Sequence, residues 1–215
     1  MSRTRMKPFP SPKIPAFLAS LGALLLLGAC NVIPPAQDDP TRYFVLTDAP
    51  VAASHAAGTA RIALHGVGLA GYLKNRQIVV RTGANEIEFR DYRLWAEPLD
   101  AAVGRVLRSS LIASPQVAQV LSDPLTIGQE RDYDVTVTVV SCEGAVGAGG
   151  AFVARFGAVV EVWTGGNEPR VVSRRRFDAP DRAWDGRNFD ALAGLLSQDA
   201  VALGEDIAAN LPPKG

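Results

Sequence analysis

The stretch Tyr133-Asp134-Val135-Thr136-Val137-Thr138-Val139 alternates apolar and polar side chains without a break. Successive side chains of a strand point to opposite faces, so this pattern predicts a strand with one face in a core and the other toward water. The sequence around it continues in the same style. Glycine-rich residues 144–150 predict a connection, and residues 151–163 predict the hairpin partner. Gly165-Gly166-Asn167 turns the chain again, and residues 170–177 predict a returning strand. Upstream, residues 43–46, 61–65, 77–81 and 86–89 predict strands. Thr82-Gly83-Ala84-Asn85 is the turn signal before the last of these, residues 117–121 predict a short strand, and alanine-rich residues 51–59 predict a loop.

Two segments change period. Behind Pro98, residues Leu99, Ala102, Val103, Val106, Leu107 and Leu111 fall on one helical face, with Arg105 and Arg108 opposite and Pro115 at the end. Behind the N-cap residue Asn188, residues Phe189, Leu192, Leu196, Ala200, Leu203 and Ile207 form a second stripe. Asp190, Asp199 and Asp206 are expected away from that stripe, and Leu211-Pro212-Pro213 stops the helix. Helices with apolar stripes bury them against a sheet. The expected fold class is therefore α/β: a mixed sheet of six or seven strands packed with two long helices.

The amino end is built differently. Arg3, Arg5, Lys7 and Lys13 precede an apolar run that ends in Leu27-Gly28-Ala29-Cys30. Positive segment, short apolar segment and small residues are the order of an export signal. Small residues ending at a cysteine resemble the bacterial lipobox, which implies cleavage before Cys30, diacylglyceration of its thiol and acylation of the new amino group, palmitate being a typical chain. The apolar run from Ala16 to Ala29 is shorter than the ~20 residues that a helical span needs. Two or three acyl chains would hold the protein on a bilayer, whereas one chain alone binds reversibly. Residues 31–41, with Pro34, Pro35 and Pro40, then read as a stiff tether. Asn31 stands where aspartate commonly signals retention at the inner membrane, which favours the outer membrane. The expected organisation is residues 1–29 as lipoprotein signal, 30–41 as lipidated tether and 42–215 as one domain.

Composition removes several function classes. Lys and Arg number 22 and so do Asp and Glu, so bulk electrostatics advertises no nucleic-acid partner. With Cys30 acylated, Cys142 has no intrachain partner; set in an alternating apolar stretch, it reads as a small buried hydrophobe. Gly66-Val67-Gly68-Leu69-Ala70-Gly71 matches a dinucleotide-binding fingerprint, with Glu86 or Glu88 near the ribose-binding spacing. The fingerprint must open a crossover helix, and the few residues before Gln77 leave no room for one. Arg174-Arg175-Arg176 lies on a predicted strand, so its charges split between two faces and suit a solvated edge. His55 and His65 are the only histidines, too few and too far apart in sequence for a metal site. No nucleophile motif is present, so neither an enzyme nor a cofactor is expected.

Trp95-Ala96-Glu97-Pro98-Leu99, preceded by Tyr72-Leu73-Lys74-Asn75-Arg76-Gln77-Ile78-Val79-Val80-Arg81, resembles the PqiC-type family of ABC-transport auxiliary lipoproteins. Tyr43-Phe44-Val45-Leu46 after the cysteine and the closing amphipathic helix fit the same pattern. Lys74, Asn75 and Arg76 stand where the family often has aspartate, arginine and proline, and Leu94 stands where it often has arginine. The resemblance implies anticodon-binding-like layers similar to the TolB N-terminal domain. It implies a membrane-integrity-associated lipoprotein on the outer membrane, an auxiliary subunit of an MCE-linked ABC system that moves lipids between membranes. The partners implied are an MCE-domain periplasmic protein, the ABC transporter components and other copies of the chain in a ring. Tyr72, Leu73, Gln77, Arg81, Trp95, Glu97 and Pro98 are the candidate structural or docking residues, with Cys30 as the lipid site. The alternative is a periplasmic lipid carrier with an apolar cavity of its own.

Overall fold

A computed structural model describes residues 38–48, 58–125, 129–166 and 168–213. The export signal, Cys30, the tether up to Gln37, the alanine-rich stretch 51–57 and Asn167 lie outside the described residues. The chain divides after Asp39, and everything below concerns the unit from Pro40 onward.

That unit contains β1 (Arg42–Phe44), β2 (Ala60–Leu64), β3 (Gly68–Leu69), β4 (Gln77–Arg81), β5 (Ile87–Trp95), α1 (Leu99–Ala113), β6 (Val117–Ser122), β7 (Tyr133–Val146), β8 (Phe152–Thr164), β9 (Val171–Asp178), β10 (Arg182–Ala183) and α2 (Phe189–Ala209). A single turn of 3-10 helix, Gly71–Lys74, joins β3 to β4. All ten strands form one sheet. The mixed α/β architecture expected from the sequence is the one observed.

The spine is β7. Along one edge it pairs with β8, antiparallel, from Tyr133 opposite Thr164 to Val146 opposite Phe152. Along the other edge it receives three parallel strands in succession. Ile62–Leu64 of β2 lie against Tyr133–Val135, Gly68 and Leu69 of β3 against Thr138 and Val139, and Val80 and Arg81 of β4 against Gly144 and Ala145. Two branches leave that edge. β2 continues to β6, and β4 continues through antiparallel β5 to β1, which runs parallel to β5. On the far side of β8 lie β9 and β10.

The predicted alternation holds from Tyr133 to Val139, whose odd-numbered residues are buried. A bulge between Val139 and Ser141 then shifts the phase. Beyond it the core face carries Cys142 and Gly144, and Glu143 points the other way. The strand was expected to end near Gly144 but runs on to Val146. The reason is packing: a Cβ on Gly144 would sit 2.5 Å from Cζ3 of Trp184. Glycine here makes room for an indole rather than a turn.

The helices follow the sequence closely. All six residues of the first stripe, Leu111 included, are buried, as are Leu192, Leu196, Ala200, Leu203 and Ile207 of the second. Each fully buried Leu, Ile or Val among them contributes roughly 1.5–3 kcal/mol. Asn188 caps α2, its side chain accepting from the N–H groups of Asp190 and Ala191 at 3.1 Å each. The two helices touch at Ser110, whose hydroxyl donates to the Val201 carbonyl at 3.0 Å. Gly204 permits that approach, since a Cβ there would meet the Ser110 Cβ at 2.6 Å.

One expectation fails in α2. Asp199 was placed away from the stripe, but it is fully buried beside Arg182, with Nε 2.9 Å from its Oδ1. The two are close enough for charge contact but out of line for a hydrogen bond, so both carboxylate oxygens lack a donor. Burial raises the Asp199 pKa, and the charge of Arg182 opposes that shift. The ion pair joins the short strand β10 to α2, a contact that helical periodicity alone could not show. Asp190 is exposed as expected, and Asp206 pairs with Arg175.

Candidate functional site

The seven candidate docking residues fall into two adjoining groups. The first forms around the turn Gly71–Lys74. Leu73 is buried in the core, and the neighbouring Tyr72 donates its hydroxyl to the Val140 carbonyl at 2.9 Å. The guanidinium of Arg81 lies 5.6 Å from the Tyr72 ring centroid. Its Nε donates to Glu143 Oε1 at 2.6 Å. Arg81 and Glu143 come from neighbouring parallel strands, on the face turned away from the helices. Burial, reinforced by the Glu143 charge, pushes the Tyr72 phenol up to about 12. Glu143 itself is fully buried. A carboxylate held there depends on guanidinium charge, chiefly that of Arg81, because an unpaired buried charge costs several kcal/mol. Gln77, at the other end of β4, donates to Asp91 at 3.2 Å and exchanges hydrogen bonds with Asn75.

The second group lies where β5 gives way to α1. Trp95 is 2% exposed, and its backbone N–H donates to the Arg76 carbonyl at 2.8 Å. In return Arg76 donates through its guanidinium to the carbonyls of Trp95 and Ala96. The Ala96 N–H donates to the Phe44 carbonyl at 2.8 Å. Glu97 accepts from Arg105 at 2.6 Å, and Arg105 also holds the Leu46 carbonyl at 2.7 Å and Asp48 at 2.6 Å. Pro98 occupies the N-cap position, one residue earlier than the first helical turn expected for it. These hydrogen bonds gather the first strand, the 71–76 turn and the start of α1 into one knot.

Between those elements opens a cleft of about 550 Å³. Lys74, Asn75 and Arg76 line one wall, Pro98, Leu99 and Asp100 another, and Val67, Gly68 and Leu69 of the glycine-rich loop complete it with Thr138. Three stretches that stood apart in the sequence thus meet at one opening. Of the seven candidates only Pro98 touches the cleft. Lys74, Asn75 and Arg76, the positions that depart from the usual family pattern, are on its surface.

Sequence reading missed Glu143, Arg76 and Arg105 as organisers. Glu143 carries a signal that could have found it: an acid inside the apolar run 135–146 must be exposed or paired. A second polar cluster was also missed. His65 places Nε2 2.8 Å from Asp134 Oδ1 and Nδ1 3.1 Å from Asp123, and Arg131 holds Asp134 from the other side at 2.7 Å. Both ring nitrogens face carboxylates; burial lowers the imidazole pKa, but the hydrogen bonds and charges of Asp134 and Asp123 together outweigh it and raise it. Cys142 is buried as expected, and burial together with Glu143 pushes its thiol up, away from thiolate reactivity. The run 174–176 alternates as expected: Arg174 pairs with Glu161 and Arg176 with Asp178, whereas Arg175 turns to the helix side and Asp206.

Among the described residues, no group of three or more His, Cys, Asp or Glu side chains is placed to hold a metal ion. No helix among them is long and apolar enough to cross a membrane.

Comparison with known proteins identifies the domain. A search of curated proteins finds no match. A crystal structure of a DUF330 protein from Xanthomonas campestris superimposes with a TM-score of 0.66 at 15% identity, covering 78% of this chain and 93% of its own. The crystal structure of an uncharacterized protein superimposes at 0.60 and 20% identity, covering 80% and 99%. At such identities these structures establish the fold. The family model for the ABC-type transport auxiliary lipoprotein component matches residues 44–208, which spans the sheet from β1 to the end of α2. The chain therefore belongs to the family of ABC-type transport auxiliary lipoprotein components.

Proposed function

We propose that this protein is an outer-membrane lipoprotein, acylated at Cys30, that docks the periplasmic part of an MCE-linked ABC system moving lipids between membranes. The observation that carries the reading is the family match across residues 44–208, joined to the lipobox-like residues 27–30 that precede it. Such a subunit needs an anchor, a tether, a rigid domain and a surface. It needs no catalytic group. The docking surface is the cleft between Lys74, Asn75 and Arg76 and the Pro98 corner, backed by the Trp95–Arg76 hydrogen bonds that hold its walls. Copies arranged in a ring would present that cleft repeatedly around a tubular partner.

The interior supports docking over carriage. Phe156, Leu107, Leu196, Leu203 and Ile62 fill the space between helices and sheet with side chains that are almost completely buried. The 550 Å³ cleft is open and partly polar, unlike an enclosed acyl-chain pocket.

Two experiments test this reading. Cys30→Ala should release the protein from envelope membranes, measured by fractionation and intact mass. A photocrosslinking residue at position 75 should yield an adduct with an MCE-domain protein in intact cells. Adducts confined to other proteins would overturn the docking role.

A further inference from the structure

Seven large apolar side chains are exposed among the described residues; Ile112, Val171 and Val172 lie on α1 and β9, and the other four gather in one place. Tyr43 is 60% exposed, Tyr92 54%, Val45 49% and Phe89 40%, and all four lie on or beside the β1–β5 pair. Tyr43 pairs in register with Leu94, Leu94 with Gln77, and Phe89 with Val79. Residues paired across strands share a face. Tyr43, Leu94 and Phe89 therefore stand on the side away from the helices, while Phe44 and Trp95 between them turn inward, Phe44 against the Phe189 ring. Tyr92 has a φ of 58°, unusual for a bulky residue, and it sits where β5 bulges out of register with β4. Arg42 opens β1, which pairs only with β5 among the described residues, and its register with Arg93 turns it to the helix side with Phe44.

We propose that this β1–β5 face is a membrane-contacting surface, with the headgroup and upper acyl region of a phospholipid bilayer as its occupant. The inference rests on acylation of Cys30 and goes beyond it. Tyr43 follows Cys30 by so few residues that full extension separates them by at most about 45 Å. β1 is the first strand of the domain, so its residues are the domain's nearest in sequence to that anchor. Four side chains are too few to recruit a free protein. A short tether makes the contact intramolecular, and the effective concentration that it sets lets a weak patch engage. The chemistry suits an interface. Tyrosine has an apolar body and a polar tip, which suits the boundary between headgroups and acyl chains.

The test uses the full acylated chain, purified from envelopes and reconstituted into phosphatidylethanolamine–phosphatidylglycerol vesicles. An environment-sensitive fluorescent amino acid replaces Tyr43 or Tyr92, and in controls Ile112 or Val172. The expected result is a blue shift at positions 43 and 92 with loss of emission to a nitroxide-bearing lipid, and neither change at 112 and 172. Aqueous emission at 43 and 92 overturns the proposal. So does a blue shift that the lipid quencher leaves untouched and that dilution reverses, which would make a second copy of the chain the occupant. Intact mass separates the two layers of the argument. An unacylated chain that is still quenched at 43 and 92 keeps the surface and removes the anchor. An unacylated chain with aqueous probes removes both.

Discussion

The strand β7 carries a polar cross-link near each end, and the two are made of different chemistry. Near its carboxyl end, Arg81 of β4 meets the fully buried Glu143. At its amino end, His65 beyond β2 bridges Asp134 of β7 and Asp123 beyond β6, at sites still reached by water. Both pairs bring a parallel strand onto the same edge of the spine. The first uses a cation that never loses its proton. The second uses the one side chain whose charge changes near neutral pH. The cation on the branch that leads to the Trp95 knot and the cleft therefore keeps its charge, whereas the β2–β6 branch carries a contact that pH can weaken.

The most severe way to break this contrast is Arg81→Met. It strands the Glu143 charge in the sheet and should cost about 3–5 kcal/mol, read from denaturant unfolding. Adding Glu143→Leu should recover most of that loss. A single variant that unfolds at the wild-type midpoint would mean that water reaches Glu143. Next in size is Gly144→Ala, one residue along on the opposite face, which should cost about 1–3 kcal/mol by overpacking. It should also shift tryptophan emission through Trp184.

His65→Gln should cost less, about 1 kcal/mol, because the site is partly solvated. Its signature is in the pH dependence. Desolvation, the largest single influence on His65, lowers its pKa, but the hydrogen bonds and charges of Asp134 and Asp123 together outweigh it, and the net shift is upward. A pKa raised on folding gives stability that is complete below the unfolded value near 6.5 and is lost as pH rises through the folded value. Wild type minus His65→Gln, measured as ΔTm, should therefore shrink as pH rises from 6 to 9. A difference that stays flat would assign the bridge a packing role alone. The smallest change is expected for Glu97→Gln, which weakens a half-exposed pair with Arg105 and should cost below about 1 kcal/mol. It supplies the baseline for an ordinary surface contact.

The legible parts of this molecule were those governed by short-range periodicity. The α1 stripe, the Asn188 cap and the alternation of Tyr133 to Val139 are local patterns, and each appears where the sequence placed it. The bulge at Val140 was hidden because a single inserted residue leaves composition unchanged and only reverses the faces beyond it. The length of β5 was hidden as well: Glu86-Ile87-Glu88-Phe89 alternates, but residues 90–95 carry charges and a positive φ that obscure the strand. The pairings Arg81–Glu143 and His65–Asp134 join positions more than sixty residues apart, and a single sequence offers no register from which to read them. The motif 95–99 lies where β5 gives way to α1, and it could not show that Arg76 hydrogen-bonds the Trp95 and Ala96 carbonyls there.

The aromatic rings at the start of α2 have a mechanical consequence. Phe44 contacts Phe189 at 6.2 Å, Phe189 contacts Trp184 at 5.3 Å, and Trp184 contacts Phe152 at 5.8 Å. The Thr47 N–H is also held by the Ser197 hydroxyl, about two turns further along the same helix. Tension arriving through the amino end thus does not fall on the three-residue ladder between β1 and β5 alone. It is shared with the last helix and, through the indole, with the hairpin, so the first strand resists being peeled away when the domain is pulled from its amino end.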